Sequence, residues 1–363
     1  MNHTLSVNYE NKPAYDIIIE SDYGLLTETI KSLGMENRRF LIVSDSNVSK
    51  FYLEEVSALL QPIAKSVTSF VFRAGENSKN LNTVNDCYEQ LIRSSFDRND
   101  VLVALGGGVV GDLTGFAAAT YLRGIRFLQL PTSLLSMVDS SIGGKTGVDF
   151  KAYKNMVGAF HQPKLVYMNL STLNTLPNAE YYSGMGEVIK HGLIMDKDYY
   201  YWLKEHAAEI KAKQYDSLME MILGSCIIKK TVVEEDPKES GLRALLNFGH
   251  TIGHSIEKLM NFKLLHGECV SIGMAASTFI SLERGYLDQS TYEDILQTLK
   301  LYEQPITVRN ISADDVLEVT KLDKKMDSDQ IRFILLQKIG FAYIDTTVTK
   351  EEMWNSILSV INS

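Results

Sequence analysis

Short apolar runs rich in β-branched and aromatic residues alternate with helical patterns through the first half of the sequence. Segments with helical periodicity, such as 52–60 and 83–93, separate these runs. Such alternation is typical of a mostly parallel, doubly wound sheet, which binds ligands at the carboxyl ends of its strands. The predicted strands are 16–19, 40–43, 69–72, 101–105, 127–130 and 165–168.

The pattern changes near Leu176, after which long amphipathic helical patterns replace the strand signals. These patterns cover 199–221, 242–260 and 268–284, and one hairpin-like pair follows at 331–336 and 341–345. A chain of 363 residues suits two packed units better than one. The sequence therefore predicts an N-terminal doubly wound α/β domain over 1–176 and a C-terminal all-α domain over 177–363.

Composition excludes several classes of protein. The chain is 45% hydrophobic and 22% charged, as ordinary globular proteins are, and its net charge of -9 disfavours nucleic acid or an anionic membrane as partner. The N-terminus has no signal-peptide pattern, and glycines interrupt the most apolar stretch, 101–120. Three widely separated cysteines, Cys87, Cys226 and Cys269, fit neither a disulfide framework nor a Cys-rich zinc site. We expect a cytoplasmic protein without nucleic-acid or membrane partners.

A glycine-rich turn follows the predicted strand 101–105 and leads into a helical pattern at 113–121. Gly106, Gly108 and Gly111 have the G-x-G-x-x-G spacing of a dinucleotide-binding turn, in which backbone N–H groups meet a phosphate at a helix start. The acidic residue that usually follows about twenty positions later, to bind ribose, is missing. Asp45, just past an earlier predicted strand, is the candidate to bind ribose in its place. The pattern favours dinucleotide binding, and a purely structural turn is the alternative.

A second glycine cluster, at 142–146, resembles a nucleotide-binding P-loop but lacks one of its glycines. Asp139 stands where that motif requires glycine, and no short strand leads directly into the loop. An ATPase is therefore not indicated. Lys145 remains a candidate to bind an anionic group of a substrate.

Histidines are concentrated in the second half. Of seven histidines, His250, His254 and His266 lie close together, and the first two are one helical turn apart. That spacing suits joint metal ligation or one ligand beside one catalytic base, although two ordinary histidines at a helix interface would also fit. The H-E-x-x-H motif of metalloproteases is absent. Glu187 is the best carboxylate to complete a metal site, and His191, four residues further on, is a rival ligand.

Polar residues recur through the predicted helix 242–260. Arg243, Asn247, His250 and His254 follow one another at spacings of four, three and four, which predicts a single polar stripe along that helix. Most basic residues of a globular protein are solvated surface charges. This stripe favours a functional use, alongside the basic residues Lys145, Lys154, Lys190, Lys229, Lys230, Lys324 and Lys325.

Long motifs in this sequence resemble those of the 3-dehydroquinate synthases in order and spacing, over roughly 44–340. The motifs are GGGVVGDLTGFAAATYLRGIRFLQLPTSLLSMVDSSIGGKTGVDF, KNMVGAFHQP, GEVIKHG, LRALLNFGHTIGH and LLHGE. The resemblance implies the fold shared with glycerol dehydrogenase-like enzymes, with an N-terminal NAD-binding α/β domain and a C-terminal α-helical metal-binding domain.

The reaction that the resemblance implies is a step of the shikimate pathway toward chorismate and aromatic amino acids. Enzymes of this family are carbon-oxygen lyases that convert 3-deoxy-D-arabino-heptulosonate 7-phosphate to 3-dehydroquinate and phosphate. The implied sequence is transient oxidation by NAD, elimination of phosphate, re-reduction and intramolecular aldol closure. NAD is thus used catalytically, without net redox change.

The resemblance also implies roles for individual residues. The zinc or cobalt ligands would be Glu187, His250 and His266, with His254 as a proton-transfer group. Arg123 matches an arginine that reaches the neighbouring subunit's site, which implies a homodimer. The substrate-binding positions would be Asp139, Lys145, Asn155, Lys190, Lys229, Arg243, Asn247 and one of Lys324 and Lys325. The NAD positions would be Asp45, Asn47, Glu76, Lys79, Gly107, Gly108, Val109, Asp112, Thr132, Ser133, Lys145, Lys154 and Thr175.

Two positions depart from the family pattern, and three other functions compete with it. Ser133 stands where threonine is common, and Asp149 stands where asparagine is common. A metal-dependent polyol dehydrogenase of the same fold would have aspartate in place of Glu187 and no lysine-rich anion clamp. A sister cyclase would act on sedoheptulose 7-phosphate or glucose 6-phosphate, but Arg243 with Asn247 favours a substrate that carries a carboxylate. The third is an NAD-binding regulator without catalysis.

Overall fold

The computed structural model describes residues 3–151, 153–239, 241–261, 263–324 and 331–362, with side chains of the fourth segment described up to 320. The chain divides into two compact units, Met1–Leu176 and Pro177–Ser363. No helix among these described residues has the length and apolar character needed to cross a bilayer. Assignment of NAD to unit 1 and of metal to unit 2 stays a prediction at this point.

Unit 1 is built on a seven-stranded sheet with the order β1-β2-β9-β6-β5-β3-β4. All neighbouring strands are parallel except β1 and β2. The strands are β1 His3–Tyr9, β2 Lys12–Glu20, β3 Arg39–Asp45, β4 Ser66–Phe72, β5 Val101–Gly106, β6 Arg126–Pro131, β7 Lys145–Phe150, β8 Tyr153–Phe160 and β9 Leu165–Asn169, and the helices are α1 Leu26–Ser32, α2 Ser49–Leu60, α3 Leu81–Arg93 and α4 Gly108–Thr120. This arrangement confirms the predicted α/β fold class.

Alternate side chains of the central strands fill two separate cores. Phe40 and Ile42 of β3 pack on the face covered by α1 and α2, whereas Leu41 and Val43 pack on the face covered by α3 and α4. Strand side chains alternate between the two faces, so a sheet covered on both sides has continuous apolar strands. Every apolar run predicted in the first half lies inside one of these strands.

The β7–β8 ribbon and the start of α4 were not predicted correctly. β7 and β8 form an antiparallel pair in which Gly147 lies opposite Gly158, and glycine weakens the strand signal at both positions. A Cβ at Gly158 would lie 2.4 Å from the carbonyl oxygen of Thr146, so the glycine permits close pairing. Helix α4 begins at Gly108, five residues before the predicted start, because the glycine-rich turn itself forms the first helical turn.

Unit 2 is mainly helical and carries one hairpin. Its helices are α5 Asn178–Met195, α6 Lys197–Glu205, α7 Ala207–Lys211, α8 Tyr215–Glu235, α9 His250–Leu259, α10 His266–Glu283, α11 Gln289–Leu301, α12 Ala313–Lys324 and α13 Lys350–Val360. The hairpin consists of β10 Phe333–Lys338 and β11 Phe341–Asp345, close to the predicted pair. The helical class of this half is confirmed.

Two of the long helices predicted in unit 2 are wrong. The pattern at 199–221 is divided among α6, α7 and α8, with a break at Lys213, whose φ is +54°. The pattern at 242–260 is divided into a 3-10 helix, Leu242–Asn247, and α9, which begins after Gly249 at φ +81°. Arg243 and Asn247 therefore do not continue the stripe of His250 and His254. Their spacing matched a helix that the left-handed glycine interrupts.

Glycines allow α10 to lie in backbone contact with its neighbours. A Cβ at Gly267 would lie 1.8 Å from the carbonyl oxygen of Ser183 on α5, and one at Gly273 would lie 1.8 Å from the carbonyl oxygen of Gly249, which precedes α9. Any larger residue at these positions would force helix backbones apart, because a backbone oxygen cannot rotate away as a side chain can. Gly253 of α9 is similarly placed, because a Cβ there would lie 2.7 Å from the carbonyl oxygen of Cys269.

The C-terminal end of α10 is fixed by a charged cluster around Arg284. Arg284 Nε and Nη2 lie 2.6 and 3.0 Å from the two carboxylate oxygens of Glu352, and its Nη1 lies 2.8 Å from Asp345 Oδ2. Hydrogen bonds from Arg284 lower the pKa of Glu352 from 4.5 to about 2. The cluster joins α10 to β11 and to the first turn of α13, and such bidentate pairs are among the stronger surface contacts.

We predict that Gly273→Ala destabilises unit 2 far more than Gly285→Ala. The first change places a methyl group against the backbone of Gly249 and should lower the free energy of unfolding by about 3 kcal/mol or more. The second places it at φ +72° with no heavy atom within 4 Å, at a cost of about 1 kcal/mol. Urea denaturation of the two variants measures both losses. Equal losses would contradict the close backbone contact.

We also predict a specific acid response for Glu352→Gln. Because the pKa of Glu352 is lower in the folded chain than in the unfolded chain, its ion pair contributes fully above pH 4.5 and is lost progressively as the pH falls to about 2. The difference in unfolding free energy between the parent and the variant should therefore shrink over that interval. Denaturant titrations at several pH values measure it, and a difference independent of pH would refute the assignment.

Candidate functional site

A buried carboxylate on α5 faces two imidazoles from other helices. Glu187 is 1% exposed, and its Oε2 accepts a hydrogen bond from Lys190 one turn further along α5. Its Oε1 has no hydrogen-bond partner within the described part of the chain. That oxygen lies 3.8 Å from His250 Nε2 and 3.6 Å from His266 Nε2. The predicted ligands Glu187, His250 and His266 thus direct three donor atoms toward one point.

The backbone fixes the orientation of His250. Its Nδ1 lies 3.2 Å from the carbonyl oxygen of Phe248, just before α9. A carbonyl oxygen only accepts hydrogen bonds, so Nδ1 carries the proton and Nε2 presents its lone pair toward Glu187. Gly249, in its left-handed conformation, makes the turn that brings this carbonyl back to the ring.

These donor atoms fit a divalent cation. Zinc binds imidazole nitrogen and carboxylate oxygen at about 2.0–2.2 Å, so tetrahedral neighbours lie roughly 3.3 Å apart. The observed separations of 3.6 and 3.8 Å require only a small contraction. A bound cation would also supply the partner that the buried Glu187 Oε1 otherwise needs. Nitrogen and oxygen donors suit zinc and cobalt.

A second ligand set is geometrically available. His250, His254 and His266 each offer a nitrogen, and these nitrogens lie within 4.8 Å of one another. The His254 ring is 4.9 Å from the His250 ring and 5.7 Å from the His266 ring. His254 is exposed, whereas Glu187 is buried with an oxygen facing the other two imidazoles. Burial therefore favours Glu187 as the third ligand and leaves His254 at the solvent side.

Neighbouring charges keep Glu187 and His250 in metal-binding protonation states. Burial alone would raise the pKa of Glu187, but Lys190 and the two imidazoles hold that pKa well below its usual value. Burial, with nearby Lys190, keeps the pKa of His250 well below its usual value. Burial lowers the pKa of His266, but Glu187 and Glu257 raise it by more, to about 9. Glu187 is thus ionised and His250 is neutral, as ligation requires, whereas His266 must lose a proton when a cation binds.

Other predicted substrate-binding residues of unit 2 lie on α5 or on elements next to it. Lys190, Lys229 of α8 and Arg243 of the 3-10 helix are all buried. Arg243 is held by its N–H to Asp236 Oδ2 at 3.0 Å and by its Nη1 to the carbonyl oxygen of Pro237 at 2.8 Å. A positive charge interacts more strongly with an anion in a buried position than in water, so these side chains are suited to bind one.

The remaining predicted residues of unit 2 are in different situations. Asn247 Nδ2 donates to Glu239 Oε1 at 2.9 Å. His191 is buried with its Nδ1 3.0 Å from Ser225 Oγ, and it belongs to no described ligand group that contains His250 or His266. A ring nitrogen of His191 and a carboxylate oxygen of Glu187 do lie within 4.8 Å of each other, so His191 remains a rival ligand. The side chain of Lys324 and the whole of Lys325 lie outside the described residues.

In unit 1 the glycine turn lies where a parallel sheet binds nucleotides. Gly107 caps α4, and a Cβ there would come to 3.3 Å from Ser133 Oγ, whereas one at Gly108 would come to 3.1 Å from Ser140 Oγ. Thr132 and Ser133 follow the carboxyl end of β6, the strand next to β5. The first turn of a helix has unpaired N–H groups that favour phosphate. Gly107 and Gly108 carry no side chains that would keep an anion from the backbone N–H groups of this turn, to which Val109 also belongs.

Asp45 occupies the carboxyl end of β3, beside β5. Its Oδ1 accepts from the N–H groups of Asn47 at 2.7 Å and Val48 at 3.0 Å, so it shapes the turn into α2. The predicted ribose-binding carboxylate therefore also has a structural role. Thr175, further along the chain, has its Oγ1 2.5 Å from the hydroxyl of Tyr52 in α2.

Several residues predicted to bind NAD or substrate form one network around the buried Lys79. Lys79 Nζ lies 2.6 Å from Asp112 Oδ2 of α4 and donates to Asn155 Oδ1 of β8 at 2.6 Å. Glu76 Oε1 is 3.9 Å from Lys79 Nζ and 4.0 Å from Lys154 Nζ. The structure thus brings these five residues together, although they are distant in sequence. Asp149 also belongs to this region, since its Oδ1 accepts from the N–H of Asn155 at 2.8 Å.

Three predicted residues of unit 1 lie on irregular backbone. Asp139 belongs to a short π-helical segment, Ser136–Ser140. Lys145 is exposed at the start of β7, directly after two glycines with positive φ. Arg123 is exposed in a tight turn where it and Leu122 have φ values of +67° and +50°.

Sequence reasoning missed Glu257. This residue of α9 is 4% exposed, and its Oε2 lies 3.8 Å from His266 Nδ1. The signal that could have identified it is its position seven residues after His250, which places both on one side of a helix. A carboxylate on the buried side of an amphipathic helix is uncommon enough to notice.

Comparisons with known proteins agree in naming one family. The family model "3-dehydroquinate synthase N-terminal" matches residues 69–183, and "3-dehydroquinate synthase C-terminal" matches residues 184–326. The 3-dehydroquinate synthase of Acetivibrio thermocellus is 43% identical over 355 residues, 98% of each chain.

Solved structures agree on the fold. A 2-epi-5-epi-valiolone synthase from Streptomyces hygroscopicus, with NAD+ and Zn2+ bound, is 27% identical with a TM-score of 0.88 over 98% of this chain and 99% of that one. A 2-deoxy-scyllo-inosose synthase complexed with carbaglucose-6-phosphate, NAD+ and Co2+ has a TM-score of 0.89 over 99% of this chain and all of that one. At 23% identity, it shows the fold alone.

We predict that Glu187→Gln weakens zinc binding by more than about 100-fold, because loss of a direct ligand exceeds the 10-fold to 100-fold typical of an outer partner. His254→Gln should change zinc affinity less than about threefold, because that ring is not a ligand in this assignment. Competition with a chromogenic chelator measures both affinities. A larger loss for His254→Gln than for Glu187→Gln would favour the three-imidazole set.

Proposed function

The chain belongs to the 3-dehydroquinate synthase family, and we propose that it performs that family's reaction on 3-deoxy-D-arabino-heptulosonate 7-phosphate. It is accordingly an enzyme, a carbon-oxygen lyase that releases phosphate and forms 3-dehydroquinate in the shikimate pathway. The single structural observation that supports this proposal most is the convergence of His250 and His266 on the unpartnered oxygen of Glu187.

The cofactors are NAD and one divalent cation, zinc or cobalt, as in the cyclases of the same fold. Glu187, His250 and His266 would hold the cation, and the glycine turn at α4 with the Lys79 network would hold NAD. When bound, NAD accepts and returns a hydride, and the cation stabilises negative charge on substrate oxygens. The chain itself contributes binding, orientation and proton transfer.

Substrate binding requires cationic groups, because the substrate carries both a carboxylate and a phosphate. The chain has a net charge of -9, so a local basic cluster must provide them. We assign this role in unit 2 to Lys190, Lys229 and Arg243, which are buried and therefore interact strongly with an anion. An arginine fork matches a planar carboxylate in two hydrogen bonds, so Arg243 with Asn247 is assigned to the substrate carboxylate.

The residues assigned to the substrate in unit 1 are Asp139, Lys145 and Asn155. Lys145 is exposed at the start of β7, where an anion in solution can reach it. One of Lys324 and Lys325 completes the set by family resemblance alone.

His254 is assigned to proton transfer. Its ring is exposed and lies in edge contact with the His250 ring at 4.9 Å. An imidazole is suited to exchange protons near neutral pH, and a position beside the ligands but open to solvent allows it to regain its starting state. The ring would therefore act on substrate groups held at the cation.

We further propose a homodimer in which Arg123 reaches the partner's site. The strained turn that carries Arg123 and Leu122 supports this assignment, because it projects both side chains into solvent. Non-glycine residues at positive φ often mark positions where function outweighs local strain.

We predict that the protein releases phosphate from heptulosonate 7-phosphate without accumulating NADH. The assay contains a divalent metal and less NAD than substrate, so that NAD must be used repeatedly. Parallel assays of phosphate and of absorbance at the NADH band measure both products. Stoichiometric NADH would instead indicate a polyol dehydrogenase. Faster turnover of sedoheptulose 7-phosphate or glucose 6-phosphate would indicate a sister cyclase.

The variant Arg243→Met separates substrate choice from metal binding. It should raise KM for heptulosonate 7-phosphate by at least about 10-fold, the effect of losing a charged hydrogen-bonded pair, while zinc affinity stays unchanged. An unchanged KM would refute the assignment of Arg243 to the substrate.

A further inference from the structure

We propose that Glu257 is a positioning residue of the metal centre, whose buried carboxylate holds the Nδ1–H of His266 and so directs His266 Nε2 toward the cation. The proposal rests on the metal assignment made above and extends it to a residue outside the ligand set. It concerns the orientation of the His266 ring, which the other two ligands do not fix.

The His266 ring lies between two carboxylates. Its Nε2 is 3.6 Å from Glu187 Oε1, and its Nδ1 is 3.8 Å from Glu257 Oε2. The two nitrogens of an imidazole point away from each other, so one ion cannot bind both. Glu187 lies at the point where two imidazoles converge, and Glu257 lies beyond the far side of one ring. The first is therefore placed as a ligand and the second as the partner of a ligand.

The neighbouring ligand shows the same arrangement with a different acceptor. His250 has its Nδ1 3.2 Å from the carbonyl oxygen of Phe248 while its Nε2 faces Glu187. His266 likewise begins its helix, but its Nδ1 faces the carboxylate of Glu257 on α9. A side chain from α9 therefore takes the place that the backbone occupies for His250. Metal-bound histidines usually donate their second N–H to a carboxylate or a carbonyl oxygen.

The separation between Glu257 and His266 is set by helix packing. Gly253, one turn before Glu257 on α9, would place a Cβ 2.7 Å from the carbonyl oxygen of Cys269, one turn after His266 on α10. The two helices are thus in backbone contact beside the pair. The present 3.8 Å is an ion-pair distance and longer than a direct hydrogen bond. We expect rotation of a side chain to shorten this contact in the metal-loaded protein.

A carboxylate partner affects His266 in two ways that a neutral acceptor would not. It fixes the tautomer with the proton on Nδ1, and its charge makes Nε2 a stronger electron donor to the metal. Removal of the charge should therefore weaken metal binding even if the ring keeps its position. Removal of the acceptor as well should weaken binding further and change the geometry of the centre.

The test uses Glu257→Gln, which retains an acceptor oxygen, and Glu257→Leu, which retains none. Zinc affinity should fall about 10-fold in the first and up to about 100-fold in the second, the range typical for outer partners of metal ligands. The visible absorption of the Co2+-loaded protein should change in Glu257→Leu, because ligand orientation determines that spectrum. Chelator competition and absorption spectroscopy provide the two readouts on the full chain.

Glu352→Gln is the matched control, since it removes a carboxylate of unit 2 that pairs with Arg284 and not with a histidine. It should reduce stability but leave zinc affinity unchanged. Zinc affinity of Glu257→Gln equal to that of this control would overturn the proposal, and that conservative variant decides the matter if Glu257→Leu does not fold. If Glu187→Gln also binds zinc normally, the metal assignment itself has failed, and with it the proposed function.

Discussion

The candidate metal centre depends on backbone contact between α10 and its two neighbours. Glu187 comes from α5, His250 from the start of α9 and His266 from the start of α10, so the three meet only where these helices touch. Glycine at positions 267 and 273 removes the side chains that would hold α10 away from Ser183 and Gly249. Glycine costs helix stability, and here that cost is offset by a spacing that no other residue permits. The ligand set therefore depends on this close packing of the helices.

Charge completes what packing begins. A carboxylate as buried as Glu187 is stable only with compensating positive groups, and Lys190 supplies one at Oε2 while Oε1 faces the two imidazoles. A divalent cation at that point would place two positive charges in direct contact with the carboxylate. The same reasoning extends to Glu257 on the other side of His266, so this imidazole is held by charge on both sides.

Much of the fold was readable from the sequence, and the failures have identifiable causes. The buried strands of unit 1 were predicted because a sheet covered on both faces needs continuous apolar runs. The prediction of one helix over 242–260 was wrong because hydrophobic periodicity does not show that Gly249 adopts a left-handed conformation. As a result, the stripe that linked Arg243 and Asn247 to the histidines does not exist, although all four residues remain in unit 2. The β7–β8 ribbon was missed because glycines interrupt its pattern. Glu257 was missed because its partner is fixed by tertiary contact between α9 and α10, which local sequence does not reveal.

X-ray absorption spectroscopy of the zinc-loaded protein tests the ligand assignment most directly, because multiple scattering counts the imidazoles around the metal. The assignment of Glu187, His250 and His266 predicts a shell of nitrogen and oxygen atoms with two imidazoles, unchanged in His254→Gln. Three imidazoles in the parent protein, reduced to two in that variant, would contradict it.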